Sequence, residues 1–175
     1  KTLPWLDSLL SLVVGSITNQ GYASNYSRIG LGPKGTIKPD IASYGGDLLR
    51  GDNGEMIMKG VNSFSRNGNV ASSSGTSFAT ARISSLATII YQNICKDFKN
   101  FSDFNPILLK ALIIHSAKNT DKNLSVEEIG YGIPSTSTEI LSYFKNENIK
   151  IFNGVMEKNK EIELDASFFN YKKDI

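Results

Sequence analysis

The run Ser72-Ser73-Ser74-Gly75-Thr76-Ser77-Phe78-Ala79-Thr80 connects a polar, glycine-rich region to a long segment with helical periodicity. Between residues 78 and 96 the apolar side chains recur at helical spacing, and small residues fill much of the rest. This composition predicts a helix that is buried on several sides. Ser77 would lie in its first turn, where a backbone N–H has no partner within the helix.

A serine at the start of a helix has two interpretations. Ser and Thr are favoured residues for capping a helix N-terminus, so Gly75-Thr76-Ser77 is consistent with a cap alone. Alternatively, the unpaired N–H and the positive end of the helix dipole would stabilise an oxyanion that develops beside Ser77. Those are the requirements of a nucleophile in acyl transfer. The motif by itself leaves both interpretations open.

Short strands are predicted before this junction. Residues 9–17 form a nearly continuous apolar run, which is typical of a strand buried on both faces. Residues 37–42 predict a second short strand, and Pro39 places it at an edge or an end. Residues 45–74 are dominated by Gly, Asn, Asp and Ser. We expect a loop there, with one short hairpin around residues 56–58.

Helices and then a β-rich segment are predicted after the junction. Asn105 can cap a second helix and Pro106 suits its first position, with the periodicity continuing over residues 107–117. A short amphipathic helix is expected over residues 138–145. Residues 150–164 have the pattern of β-structure.

Composition and charge exclude several classes of function. The chain has 175 residues, of which 40% are hydrophobic and 21% charged, as in an ordinary soluble globular protein. A formal net charge of +2 with mixed signs gives no reason to expect a nucleic-acid partner. No segment approaches the ~20 apolar residues that span a membrane. No acidic cluster resembles a metal site, and no cofactor is expected. The single cysteine, Cys95, cannot form an internal disulfide, and we expect it to be a small buried hydrophobe.

Several motifs occur in the order in which one known family carries them. Gly75-Thr76-Ser77-Phe78-Ala79-Thr80 resembles the nucleophile motif Gly-Thr-Ser-(Met/Phe)-Ala-(Ser/Thr/Ala)-Pro of the subtilases, the subtilisin-like serine proteases of peptidase family S8. The other matching segments are residues 12–17 (a buried Val-Gly-Ala strand), 23–30 (Ala-Ser-Phe-Ser…Gly), 37–41 (Lys-Pro-Asp-Ile/Val), 109–117 (a later core helix) and 130–133 (a Gly-x-Gly turn). Together they cover residues 9–134, and their ordered combination is far more specific than any single motif.

The resemblance implies the fold and the extent of the domain. The fold class is α/β, the later portion of a subtilisin-like three-layer domain in which helices flank a mostly parallel sheet. Residues 1–148 would be the C-terminal part of the catalytic domain, and residues 149–175 a β-rich tail of unclear affiliation. Because the sequence opens at Lys1-Thr2-Leu3 without an initiator methionine, we interpret it as a piece of a longer protein.

The resemblance also implies an activity, the hydrolysis of peptide bonds within polypeptides. Ser77 would be the catalytic nucleophile, with Gly75 and Thr76 shaping the turn that presents it and the Ser77 N–H as one oxyanion donor. Family order is Asp, His, then Ser. The Asp, the His and an oxyanion Asn would therefore come from a missing N-terminal part, and the chain alone would be inactive. The single histidine, His115, follows Ser77 and lies on an apolar helical stripe, so we expect a structural role for it, as for Asp40.

The sequence also departs from the family pattern, and these departures keep other hypotheses open. Ala81 replaces a family proline, Ser85 a glycine, and Ser43-Tyr44-Gly45 the sequence Ala-Pro-Gly. The changes indicate a divergent member. A second hypothesis is that the parent is a pseudoprotease kept for binding or regulation. A third is an unrelated α/β binding module with a chance Gly-Thr-Ser.

An incomplete domain would leave two surfaces uncovered. The strand at residues 9–17 would present an unpaired edge, and the helix at residues 78–96 would have a bare face. The expected partners are therefore a polypeptide substrate, the missing N-terminal half of the protease domain, and a second copy in a homo-oligomer or swapped dimer that covers the edge. Localisation stays open.

Overall fold

The computed structural model describes residues 10–97, 106–119, 124–146, 149–152, 157–161 and 163. Over these ranges the chain forms six strands, four α-helices and two 3₁₀ turns. In chain order they are β1 (Val14–Ile17), a 3₁₀ turn (Pro33–Gly35), β2 (Ile41–Tyr44), β3 (Asp47–Arg50), β4 (Met56–Lys59), β5 (Val61–Phe64), β6 (Val70–Ser73), α1 (Thr76–Asp97), α2 (Pro106–Ser116), α3 (Val126–Ile129), α4 (Ser137–Ser142) and a second 3₁₀ turn (Tyr143–Lys145).

A pair of parallel strands forms the centre of the fold. β1 lies beside β2 with Val14 opposite Ile41. Because successive side chains of a strand point to opposite faces, Ile41 and Ala42 face different layers. Ile41 belongs to the cluster packed against α1, whereas Ala42 packs with Ile17 and with Ile129 of α3. Helices thus cover both faces of the pair. The predicted α/β class is confirmed, although the sheets within the described residues are small.

The main core lies between this pair of strands and helices α1, α2 and α4. Its buried side chains are all aliphatic: Ile41, Ile83, Ile90, Ile94, Leu108, Leu112, Ile113 and Ile140. α1 confirms the helix predicted over residues 78–96, but only one of its faces is buried, because the strands, α2 and α4 pack against that side. Ile89 and Tyr91 are exposed. Cys95 is exposed as well, which corrects the prediction that its thiol is buried.

Both β1 and β2 begin later in the sequence than predicted, and both are shorter than predicted. β1 begins at Val14, so only the second half of the apolar run at residues 9–17 is strand; residue 9 itself lies outside the described ranges. β2 begins at Ile41, later than expected. The reason is that Pro39 has no N–H to pair, and backbone pairing with the Val13 carbonyl begins only after it.

Two antiparallel hairpins occupy the region for which the sequence predicts a loop with one hairpin. β3 pairs with β4, placing Leu49 opposite Ile57. β5 pairs with β6, placing Phe64 opposite Val70, and all four of these side chains are exposed. The strand positions mix polar and apolar residues without the strict alternation of a half-buried strand. The pattern therefore does not reveal these hairpins.

The later helices follow the prediction more closely. α2 begins at Pro106, the expected first helical residue, whereas its predicted cap, Asn105, lies outside the described residues. α4 is shorter than the helix predicted over residues 138–145, because a 3₁₀ turn replaces its last turn. The periodicity does not predict α3. Its start is nevertheless marked in the sequence by a capping box formed by Ser125 and Glu128.

The described part of the tail contains no regular structure. Residues 149–152, 157–161 and 163 form no strand. The remainder of residues 149–175 lies outside the described residues, so the β-rich tail stays a prediction. Among the described helices, none combines the length and apolar character needed to cross a membrane. The same residues include no cluster of His, Cys, Asp and Glu that could hold a metal ion.

The cap of α4 makes the stability of this helix depend on pH. The Glu139 carboxylate accepts hydrogen bonds from the backbone N–H and the hydroxyl of Thr136, both 2.9 Å long. These bonds hold the pKa of Glu139 below its ordinary value, with a smaller contribution from Lys118. A carboxylate with a lowered folded-state pKa stabilises the fold above its unfolded-state pKa. That stabilisation is lost as the pH falls through the folded-state pKa.

We therefore expect acid to release the α4 cap. An NMR titration of the Glu139 carboxyl carbon should give a midpoint below the ~4.3 that is usual for glutamate. The Thr136→Val variant loses the hydroxyl donor, and its midpoint should move part of the way back up. A midpoint at or above the usual value in the unaltered protein would contradict the capping geometry.

Candidate active site

The predicted nucleophile lies at the junction between β6 and α1. The chain leaves β6 at Ser73, passes through Gly75 and enters the helix at Thr76, so that Ser77 is the second helical residue and is exposed. The Phe78 N–H donates to the Gly75 carbonyl oxygen (3.1 Å) and closes the turn. Within the described part of the chain, neither the N–H nor the hydroxyl of Ser77 has a hydrogen-bond partner. Both groups are available at the positive end of the helix dipole.

One hydrogen bond ties this turn to the central strands. The Gly75 N–H donates to the carbonyl oxygen of Gly45, the residue after β2 (2.9 Å). A Cβ at Gly45 would lie 2.3 Å from Ser16 Oγ and 2.6 Å from the Gly75 carbonyl oxygen, so a side chain there is excluded. At Gly75, by contrast, the nearest atom to a Cβ would be 3.8 Å away. The close packing that fixes the turn is therefore at Gly45.

A network of hydroxyl groups holds the Gly45–Gly46 segment from the other side. The Tyr26 hydroxyl lies 2.9 Å from the Gly45 carbonyl oxygen and 2.8 Å from that of Gly46. Ser24 Oγ donates to the Gly46 carbonyl oxygen (2.7 Å). Ser16 Oγ lies within hydrogen-bond distance of both hydroxyls, and the two serines are buried. The sequence analysis assigns no role to these hydroxyl groups. The feature that could have revealed them is the concentration of hydroxyl side chains at residues 22–27.

Asp40 occupies a structural environment, in agreement with its interpretation from the sequence. Its Oδ2 accepts from Lys38 Nζ (2.6 Å) and from the Val13 N–H (2.7 Å). Lys110 Nζ of α2 lies 3.3 Å from Oδ1. The Lys38 and Asp40 side chains are only 2% and 7% exposed. This buried carboxylate joins the approaches to β1 and β2 with α2, and Ser77 is not among its partners.

His115 is also placed away from catalytic use. It lies exposed near the end of α2, and its imidazole packs edge-on against the ring of Tyr143, with centroids 5.6 Å apart. No hydrogen bond joins it to Ser77. Across the described ranges, no imidazole or carboxylate contacts the Ser77 hydroxyl.

One departure from the family pattern has a structural counterpart. Tyr44, which stands where the family has proline, faces Arg82 of α1, whose guanidinium carbon lies 5.8 Å from the ring centroid. Cation–π contacts of this kind contribute about 0.5–1 kcal/mol at exposed sites. The contact adds a second link between the end of β2 and α1, beside the hydrogen bond from Gly75 to Gly45.

Comparison with known proteins identifies the fold and the family. The chain is similar to the CspB protease of Clostridium perfringens, with a TM-score of 0.59 and 19% identity over 77% of this chain and 27% of that one. It is similar to the patellamide maturation protease PatA (TM-score 0.54, 19% identity, 77% of this chain and 43% of that one). It is also similar to MycP1 from Mycobacterium smegmatis (TM-score 0.50, 23% identity, 89% and 35%). At these identities the likeness shows the fold alone.

The chain spans between 27% and 43% of the length of these three structures. No curated protein sequence matches it. The model of the subtilase family matches residues 7–132, which is well over half of the chain and includes the whole junction around Ser77. The family resemblance predicted for residues 9–134 is thereby confirmed as far as residue 132, and the chain belongs to the subtilase family.

Proposed function

We propose that residues 1–148 form the C-terminal part of the catalytic domain of a serine endopeptidase, and that Ser77 is its nucleophile. One observation carries the proposal: Ser77 is exposed in the first turn of α1 with its hydroxyl and its N–H both free of partners in the described chain. A residue that served only as a helix cap would direct its side-chain oxygen to a backbone N–H of the first turn. The Ser77 side chain makes no such bond.

The proposed reaction is acyl transfer. Ser77 Oγ attacks the carbonyl carbon of the scissile peptide bond, and its proton passes to a histidine supplied by an N-terminal segment. The oxyanion of the tetrahedral intermediate accepts a hydrogen bond from the Ser77 N–H, with an asparagine from that segment as the second donor. The C–N bond then breaks, and the amine leaves with the histidine's proton. A water molecule then attacks the carbonyl carbon of the ester on Ser77 and gives a proton to the histidine. The histidine returns that proton to Ser77 Oγ as the ester bond breaks.

The chain alone should be inactive on this proposal. Its single histidine packs against Tyr143, so no base is at hand for Ser77, and a serine without its base loses most of its rate advantage. The exposed side of α1, at whose two opposite edges Ile89 and Tyr91 lie, is the surface that we assign to the N-terminal half of the domain. When that half is absent, a second copy of the chain would cover the same surface.

Labelling with a fluorophosphonate tests the proposal. This reagent phosphonylates an activated serine, so the full-length protein should be labelled, whereas the 175-residue chain alone should not. Ser77→Ala should abolish the labelling. Ser74→Ala, which removes a hydroxyl from the same loop, is the matched control and should leave it intact.

Each result has a distinct meaning. If the folded full-length protein is not labelled, the endopeptidase proposal is wrong and the pseudoprotease hypothesis takes its place. The replacement of the family proline by Ala81 in the nucleophile helix is the sequence feature that favours that alternative. Ser77-dependent labelling of the isolated chain would show that His115 or a second copy completes the site.

A further inference from the structure

We propose that Tyr26 is a positioning residue for the turn that presents Ser77, an inference that rests on the proposed function. Tyr26 would act through the Gly45 carbonyl oxygen, which accepts hydrogen bonds from both sides. The Tyr26 hydroxyl approaches it at 2.9 Å, and the Gly75 N–H approaches it at 2.9 Å. A carbonyl oxygen has two lone pairs, so these two donors satisfy it fully.

The Tyr26 proton points to the Gly45–Gly46 backbone, where it is shared between two carbonyl oxygens at 2.9 and 2.8 Å. The Gly46 carbonyl already receives a proton from Ser24 Oγ at 2.7 Å. Ser16 Oγ has a single proton, which it can donate either to the Tyr26 oxygen (3.1 Å) or to Ser24 Oγ (2.9 Å). Ser16 is itself held in place, because its backbone N–H donates to Ser27 Oγ (3.0 Å).

Because the backbone is closely packed around Gly45, any movement of Gly45 is transmitted to the turn that presents Ser77. A Cβ at Gly45 would lie within 2.6 Å of the Gly75 carbonyl oxygen, so the backbones of the two residues lie in close contact. A shift of Gly45 would therefore move Gly75, and Ser77 lies two residues further on. A displacement of about 1 Å in a reacting group can lower a rate by about 10²-fold.

The test compares Tyr26→Phe with Tyr22→Phe in the full-length protein. Tyr22 is exposed, lies four residues away and makes no side-chain hydrogen bond within the described residues, so it is a matched control. Tyr26→Phe should lower kcat for peptide hydrolysis about tenfold and slow Ser77 phosphonylation equally, with KM within about twofold of its original value. Exchange of the Gly75 amide hydrogen should become about five- to tenfold faster. Tyr22→Phe should change none of these.

The outcomes separate this inference from the proposed function. Unchanged kcat and unchanged Gly75 exchange in Tyr26→Phe, with normal labelling of the unaltered protein, would overturn the inference alone. A parallel loss of kcat, substrate affinity and Tm would also overturn it, because it would indicate general loosening of the fold. Absence of Ser77 labelling in the unaltered protein would overturn the proposed function, and the inference with it.

Discussion

Peptide hydrolysis by the full-length protein is expected to fall about 10⁶-fold in kcat when Ser77 is replaced by alanine, the loss typical of removing the serine from a catalytic triad. The expectation follows from the position of Ser77 at the start of α1, where no other described hydroxyl can take its place in the turn. Thr76 is the nearest alternative hydroxyl, but it precedes the free N–H that would stabilise the oxyanion. KM should change little, because a nucleophilic serine contributes to the transition state far more than to substrate binding.

Cleavage of a fluorogenic peptide by the purified variant would measure this loss. Thr76→Val is a useful companion, because it removes the neighbouring hydroxyl while keeping a side chain of nearly the same volume. It should retain a far larger share of the activity than Ser77→Ala. Equal activity of Ser77→Ala and the unaltered protein would show that the observed hydrolysis has another source, and it would contradict the proposed role of Ser77.

Replacing Asp40 with alanine is expected to destabilise the full-length protein by about 3–5 kcal/mol, because it leaves the buried ammonium group of Lys38 without a counter-charge. Lys38 is only 2% exposed and lies 2.6 Å from Asp40 Oδ2. The variant would also remove the acceptor of the Val13 N–H, which is the bond that ties the start of β1 to the approach to β2. An unpaired buried donor adds its own desolvation cost.

Urea unfolding of the Asp40→Ala variant would measure this effect. Asp52→Asn, an exposed change in the β3–β4 turn, is the control and should stay within about 0.5 kcal/mol of the unaltered protein. Adding Lys38→Met to Asp40→Ala removes the stranded charge, so the double variant should recover part of the lost stability. A double variant less stable than Asp40→Ala would show that the cost does not come from the unpaired lysine.

The helices could be predicted from sequence because their signals are local. α1 has aliphatic side chains at helical spacing from Ile83 to Ile94, about three turns, and α2 begins at a proline suited to the first helical position. The strands were harder to predict. β3 to β6 have four residues each and little burial, so neither length nor alternation separates them from loop. The start of β2 depends on Pro39, which limits pairing with a strand 27 residues earlier rather than with its neighbours in sequence.

The candidate site also combines a local signal, which the sequence reveals, with contacts between distant residues, which it does not. Ser77 is marked by a contiguous motif, whereas the groups that fix its turn are spread over several segments. The hydrogen bonds from Tyr26 to the Gly45–Gly46 segment span 19 and 20 residues, and they leave no periodic pattern in the sequence. The burial of Cys95 was predicted wrongly because its apolar neighbours Ile90 and Ile94 lie on the packed face of α1, while the thiol lies beyond it.

The buried carboxylate of Asp40 also sets an order of events during synthesis. Lys110, which completes its charge environment, donates a hydrogen bond to the Ser11 carbonyl oxygen across 99 residues. At translation rates of about 5–20 residues per second, these two residues leave the ribosome roughly 5–20 s apart. Lys110 follows Asp40 by 70 residues, so for about 4–14 s of that interval Asp40 has Lys38 but not Lys110, and the core lacks the aliphatic side chains of α2. Until α2 emerges, the side of β1 and β2 that it helps to bury stays without that cover.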